Sequence, residues 1–181
     1  ITHLQLNHKV DAFAAVLRAR GTRVLATLLD NSPAWVVADL AAGQTQMVHV
    51  PLPVFFTPAQ IGHALQAAGV DTVLVGPAAL AAWPGATPTA CSLAGEELFL
   101  LALPARAVPM PPGTAKITFT SGTTGTPKGV CLGRDAMQQV AAGIGQALQP
   151  LGIQRHLCVL PLAVLLENIA GVMAPLAHGA Q

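Results

Sequence analysis

The densest run of residues able to do chemistry lies between Thr118 and Val130, TFTSGTTGTPKGV. Thr120, Ser121, Thr123, Thr124 and Thr126 place five hydroxyl donors within seven residues. Gly122, Gly125 and Gly129 remove side-chain bulk, so a ligand can approach the backbone closely. Lys128 supplies a cation, one of only three lysines in the chain, and Pro127 stiffens the turn beside it. Gripping the phosphates of a nucleotide requires that combination of close approach, many donors and positive charge. Each hydrogen bond to a charged oxygen contributes about 1.5–3 kcal/mol. A few of them suffice for millimolar-to-micromolar binding after association costs. The same composition also suits a Gly/Thr-rich hairpin turn between two strands. A Walker-type loop does not fit. It needs a Gly-Lys-Ser/Thr ending that runs into a helix, whereas Pro127-Lys128-Gly129 runs into a strand pattern. No Gly-x-Gly-x-x-Gly occurs there, which removes the dinucleotide fingerprint.

Other chemistries find less support. Cys91, Cys131 and Cys158 are odd in number and far apart, with no CxxC or Cys/His ligand spacing. No metal site and no disulfide framework are therefore expected, and a reduced, cytoplasmic setting is. The six histidines are equally dispersed. A net charge of +1 gives no electrostatic case for nucleic acid or an anionic membrane. An aromatic content of 4% without Tyr also argues against a base-stacking surface. Charged residues make up 9% of the chain and hydrophobic ones 52%, which excludes a disordered chain and implies extensive burial. The apolar stretch from Leu157 to Met173 is interrupted by Pro161, Glu167 and Asn168, so no bilayer span is expected. No basic-then-apolar leader opens the chain, and Ile1 in place of Met points to a processed or cut terminus.

The elements that would position the loop can be read from periodicity. Thr2 and Gln5 form a capping box before Leu6, Val10, Phe13, Ala14 and Leu17 at helical spacing. Val24 to Leu29 reads as a buried strand. Ser32 and Pro33 open a helix whose apolar side is Trp35, Val36, Val37 and Leu40, and Met47 to Val50 is a short strand. Thr57-Pro58-Ala59-Gln60 is a second capping box, its helix ends at Gly69, and Thr72 to Val75 is a strand. This alternation predicts an α/β fold with a mainly parallel sheet covered by helices. A Pro-rich connection over about 76–113 separates an N-terminal portion, 1–112, from a second portion, 113–181. Within the connection only Glu97 to Leu103 resembles an element. Lys116 to Phe119 and Gly129 to Leu132 read as strands flanking the loop. Asp135 and Gln138 then cap a helix with Met137, Val140, Ala141, Ile144 and Leu148 on its apolar side. His156 to Leu160 reads as a strand. Leu162, Leu165, Leu166, Ile169, Val172 and Met173 trace a helical stripe that Pro175 disturbs.

The run Thr118 to Val130 resembles the signature of the acyl-adenylate-forming superfamily of AMP-binding ligases, closest in look to acyl-CoA synthetases. The Asp30-Asn31-Ser32-Pro33 turn, the Val50-Pro51-Leu52 step and Thr57-Pro58 follow the N-terminal order of that superfamily, so the resemblance covers essentially the whole chain. It implies an incomplete, N-terminal part of the superfamily's large domain. It also implies that Thr120, Ser121, Gly122, Thr123, Thr124, Gly125, Thr126 and Lys128 hold the β- and γ-phosphates of ATP, with Lys128 stabilising developing charge. Leu160-Pro-Leu-Ala-Val-Leu-Leu-Glu-Asn168 resembles the segment that lines the acyl pocket, with Leu162, Val164 and Glu167 as its candidate pocket residues. Many members carry a His or aromatic where Val164 stands; an apolar residue there fits an aliphatic acyl chain.

Such enzymes join a carboxylic acid to AMP from ATP, with Mg²⁺ assisting, and pass the acyl group to a thiol, usually coenzyme A. The resemblance places the ribose-binding Asp, the acidic residue near magnesium and the catalytic lysine later than Gln181. The chain alone is thus expected to be inactive and prone to self-association. Amino-acid adenylation and a non-catalytic binding relic are the other functions this sequence accommodates.

Overall fold

The computed structural model describes residues 1–120 and 126–180. Both expected capping boxes form, with Thr2 and Gln5 exchanging hydrogen bonds at the head of α1 (His3–Ala19) and Thr57 and Gln60 at the head of α3 (Pro58–Ala67). The Ser32 hydroxyl accepts from the Trp35 N–H and caps α2 (Pro33–Gln44). α1 buries the expected Leu6, Val10, Phe13, Ala14 and Leu17. On α2 the buried face is Ala34, Trp35, Val37, Ala38, Ala41 and Ala42; Val36 and Leu40, expected there, are only half-buried. The alanines let α2 approach the sheet and α1 closely, which large side chains would prevent. After α3 the chain reverses at Gly69, with φ +60, where an added methyl would lie 2.7 Å from the Arg106 carbonyl oxygen.

Seven strands form one sheet: β1 (Val24–Leu28), β2 (Val48–Pro51), β3 (Thr72–Val75), β4 (Pro88–Leu93), β5 (Glu96–Ala102), β6 (Thr114–Thr120) and β7 (Lys128–Gly133). Their order is β4-β5-β3-β1-β2-β6-β7. The central β3, β1, β2 and β6 run parallel, while β5, β4 and β7 are antiparallel additions at the two edges. The fold is α/β, with helices over both faces. One core lies under α1 and α2 around Trp35 and Leu25, and another lies under α3 around Val50, Val73 and Phe119. The parallel strands are buried on both faces, which is where much of the high hydrophobic fraction resides.

The structure differs from the sequence pattern in three places. The Pro-rich stretch is not merely a connection: it contains a 3₁₀ turn (Pro77–Ala82) and the β4–β5 hairpin, whose outward side chains are polar or small enough to weaken the strand signal. α4 (Arg134–Leu148) begins directly after β7, so Gly133 is its cap and Asp135 sits in the first turn, where its charge suits the helix dipole. α4 buries Met137, Ala141 and Gly145, whereas Val140 and Leu148 face outward. Residues 153–160, read as containing a strand, have no regular structure, because they pair with no strand among the described residues. A short α5 (Leu165–Glu167) then passes through a π-helical stretch, Asn168–Met173, into α6 (Ala174–Ala177).

This last region exposes large apolar side chains, among them Leu151 69%, Leu157 78%, Val159 72% and Leu166 64%. Exposed apolar surface of that kind favours association. The 181-residue chain by itself is expected to self-associate at micromolar concentration, and a strictly monomeric mass by light scattering would overturn this. Among the described residues no helix is long and apolar enough to cross a membrane.

Candidate functional site

β6 and β7 pair from Thr114↔Gly133 to Thr120↔Lys128, so the Gly/Thr-rich run closes a hairpin at the end of a central parallel strand. Thr120, Thr126 and Lys128 are exposed at that end, and Pro127 is buried. Ser121, Gly122, Thr123, Thr124 and Gly125, assigned to phosphate binding from sequence, lie outside the described residues. A hairpin pairing of β6 with β7 is compatible with either reading of the run between them. Gly129 sits in tight packing: a Cβ there would come within 3.1 Å of both the Ile117 and Phe119 side chains.

Beneath the hairpin lies a buried polar cluster absent from the sequence-derived site. Lys116, at a β-bulge in β6, places its ammonium 2.7 Å from Asp39 Oδ1 on α2. It also donates to Asn168 Oδ1 at the start of the π-helical stretch. Asn168 Nδ2 donates to Asp39 Oδ2 at 2.8 Å, and His49 Nδ1 donates to Asp39 Oδ1 at 2.6 Å. His49 Nε2 accepts from the Thr27 hydroxyl at 3.0 Å. Burial by itself raises the Asp39 pKa, but Lys116 and His49 override it and hold the carboxyl well below the usual carboxylate range. Burial keeps His49 below its ordinary value, against the pull of Asp39, so the ring is neutral and its two nitrogens divide into donor and acceptor. The Asp39–Lys116 ion pair is thereby closed with hydrogen bonds on both carboxylate oxygens, the condition under which a buried pair is tolerated. A lysine inside an apolar strand and an aspartate inside an Ala/Val-rich helix are the signals that could have revealed it.

The segment resembling an acyl-pocket lining is anchored by the Asp30-Asn31-Ser32-Pro33 turn. Asn31 Nδ2 donates to the Leu160 carbonyl, and Asn31 Oδ1 accepts from the Leu162 N–H, both at 2.8 Å. Leu162 is buried against the α1–α2 core, Val164 is 38% exposed, and Glu167 is buried. Glu167 Oε1 accepts from the Val159 N–H at 3.0 Å, so its carboxylate braces the chain before the helix. The three candidate pocket residues therefore do not share one surface.

No metal spacing is visible in the sequence, yet the fold brings ligand atoms of His156, Cys158 and Glu167 within 4.8 Å of one another. Each of the two inner groups has another partner: Cys158 Sγ donates to the Gly171 carbonyl and Glu167 accepts from Val159. Burial and the adjacent Glu167 push the Cys158 thiol up, opposing the thiolate that a metal requires. The cluster reads as a hydrogen-bonded brace.

The family model described as AMP-binding enzyme matches residues 1–181. Among solved structures, the chain is similar to ATP-bound MatB from Rhodopseudomonas palustris, at 24% identity and a TM-score of 0.77, covering 99% of this chain and 39% of that one. It is similar to O-succinylbenzoate CoA synthetase (MenE) from Bacillus subtilis with an acyl-adenylate intermediate, at 21% identity and a TM-score of 0.73, covering 99% and 48%. Among curated proteins it is 28% identical over 151 residues to nonribosomal peptide synthetase 2 of Gibberella zeae, covering 77% of this chain and 3% of that protein. The chain thus spans under half the length of these solved structures and a small part of the curated relative.

Proposed function

Because this chain belongs to the AMP-binding enzyme family, we propose that it is the N-terminal, phosphate-gripping part of an ATP-dependent acyl-adenylate-forming ligase of the acyl-CoA synthetase kind. The observation that carries this is the hairpin between β6 and β7, which presents Thr120, Thr126 and Lys128 to solvent at one end of a central strand within a fully matched family. In the proposed reaction a carboxylate oxygen attacks the α-phosphorus of ATP, forming the acyl-phosphate bond as the bond to pyrophosphate breaks. A thiol then attacks the acyl carbon, and AMP leaves. Lys128 and the loop hydroxyls neutralise charge gathering on the departing pyrophosphate. Mg²⁺ would supply further neutralisation of phosphate charge, and the hydroxyls of Thr120 and Thr126 are oxygen donors of the type that would hold it. The exposed, apolar Val164 supports an aliphatic acid; coenzyme A as the acceptor and a place in cytoplasmic fatty-acid metabolism rest on the likeness to acyl-CoA synthetases. Residues 1–112 and 113–181 are taken as two parts of one AMP-binding domain.

Carboxylate-dependent exchange of labelled pyrophosphate into ATP, measured on the full-length protein with aliphatic, aromatic and amino acids, tests the proposal. Exchange with aliphatic acids is expected, with Lys128→Ala lowering it about 10²–10³-fold. Exchange only with amino acids would support a peptide-synthetase adenylation domain, the second reading, which the similarity to nonribosomal peptide synthetases favours. No exchange with any acid would favour a non-catalytic nucleotide-binding relic.

A further inference from the structure

One side chain outside the signature touches both roots of the hairpin turn. His63 lies on α3, which packs on the sheet face opposite the Lys116 cluster. Its Nε2 lies 3.0 Å from the Pro127 carbonyl oxygen, one residue beyond the last register pair, Thr120↔Lys128. A carbonyl only accepts, so the ring nitrogen carries the hydrogen. The same ring meets Phe119 edge-on, with centroids 6.5 Å apart and planes at 84°. Phe119 precedes Thr120 on the entering strand, and Pro127 precedes Lys128 on the leaving one. Both Phe119 and Pro127 are buried, whereas His63 is exposed.

The geometry points to His63 as a positioning residue that sets the spacing of the two roots of the phosphate-binding turn, and hence the placement of Lys128. It touches no substrate. Its contacts fall where backbone pairing ends: β7 is an edge strand, and the Pro127 carbonyl is the first group of the turn outside the ladder. A buried carbonyl in that position needs a donor, and α3 supplies one from a rigid element rather than from the turn itself. Because His63 is exposed on a helix, removing it is expected to leave global stability nearly unchanged, which separates local placement from folding.

Two measurements test this, and only the second rests on the proposed function. In the 181-residue chain, His63→Ala should speed amide hydrogen exchange at Thr126, Lys128 and Gly129 by about 3- to 10-fold, the equivalent of one ordinary hydrogen bond. Exchange in β1 and β3 should not change. His63→Gln, whose amide can donate to the same carbonyl, should restore part of the protection, and His63→Leu should not. Equal exchange at 126–129 in wild type and His63→Ala overturns the inference, whatever the protein catalyses. In the full-length ligase, His63→Ala should raise the KM for ATP about 3- to 10-fold while the KM for the carboxylate stays constant, again with partial rescue by Gln. A variant with wild-type kinetics alongside an active wild type overturns the positioning role alone. An inactive wild type overturns the proposed function and leaves the exchange measurement to decide on His63.

Discussion

Replacing Lys116 by Met is expected to lower the unfolding free energy by about 3–5 kcal/mol, because it strands the Asp39 carboxylate in the interior without its cation. Asp39 is 6% exposed and Lys116 4%, so water cannot take the missing partner's place. Urea unfolding followed by circular dichroism measures the loss. The informative comparison is a double substitution, Asp39→Leu with Lys116→Met. Removing both charges at once eliminates the unpaired ion, and the double variant should be more stable than either single one. If the two single losses simply add, the ion pair is not what holds this region together. Lys116→Arg should also fail to restore full stability, since a planar guanidinium must fit between Asp39 and Asn168 where an ammonium now sits.

The second large effect is expected on acidification, and its sign follows from the same cluster. His49 has a folded pKa below its ordinary value, so below about pH 6.5 the unfolded chain takes up a proton that the native ring refuses. That contribution is fully present above the unfolded pKa and is lost as pH falls. Asp39 is also depressed, and its contribution is present above the unfolded carboxylate value of about 4 and lost as pH drops further. The protein should therefore lose stability in two acid stages, the first as pH falls below about 6.5 and the second below about pH 4. Thermal melts from pH 7 to pH 3 are the measurement. His49→Gln should flatten the first stage and Asp39→Asn the second. A wild-type melting temperature that does not change over this range would refute both assignments.

Much of the fold was legible because local and global signals agree in it. The capping boxes at Thr2 and Thr57 and the Pro at position 33 announce helices that form where expected, and the apolar runs at 24–29 and 72–75 are buried parallel strands. Illegible parts depend on neighbours that a one-dimensional pattern does not contain. Residues 156–160 have a strand's composition, but a strand exists only where another lies beside it. β4 was hidden because its burial alternates weakly at a sheet edge, leaving Pro88 and Thr89 to look like connection. The strands on either side of residues 121–125 were legible as short elements. The buried cluster was only faintly so, since Asp39, His49, Lys116 and Asn168 are separated in sequence and only the lysine in an apolar strand and the aspartate in an Ala/Val-rich helix stand out before the fold assembles them. His63 was silent, a single histidine on a helix with no motif around it.

β6 meets β2 at one register position among the described residues, His49↔Lys116, whereas β1 shares four with each of its neighbours. The strand carrying the turn is also held by several side-chain contacts, the ion cluster on one face and His63 on the other. Backbone ladders are indifferent to sequence, but side-chain mounts are not. Natural variation at these few positions can tilt or shift the hairpin without disturbing the ladder that defines the architecture. A lineage carrying this arrangement can retune the site by point substitution while its scaffold stays constant. Comparing substitution patterns at 39, 63, 116 and 168 with those in β1 and β3 would show where divergence in this group has been permitted.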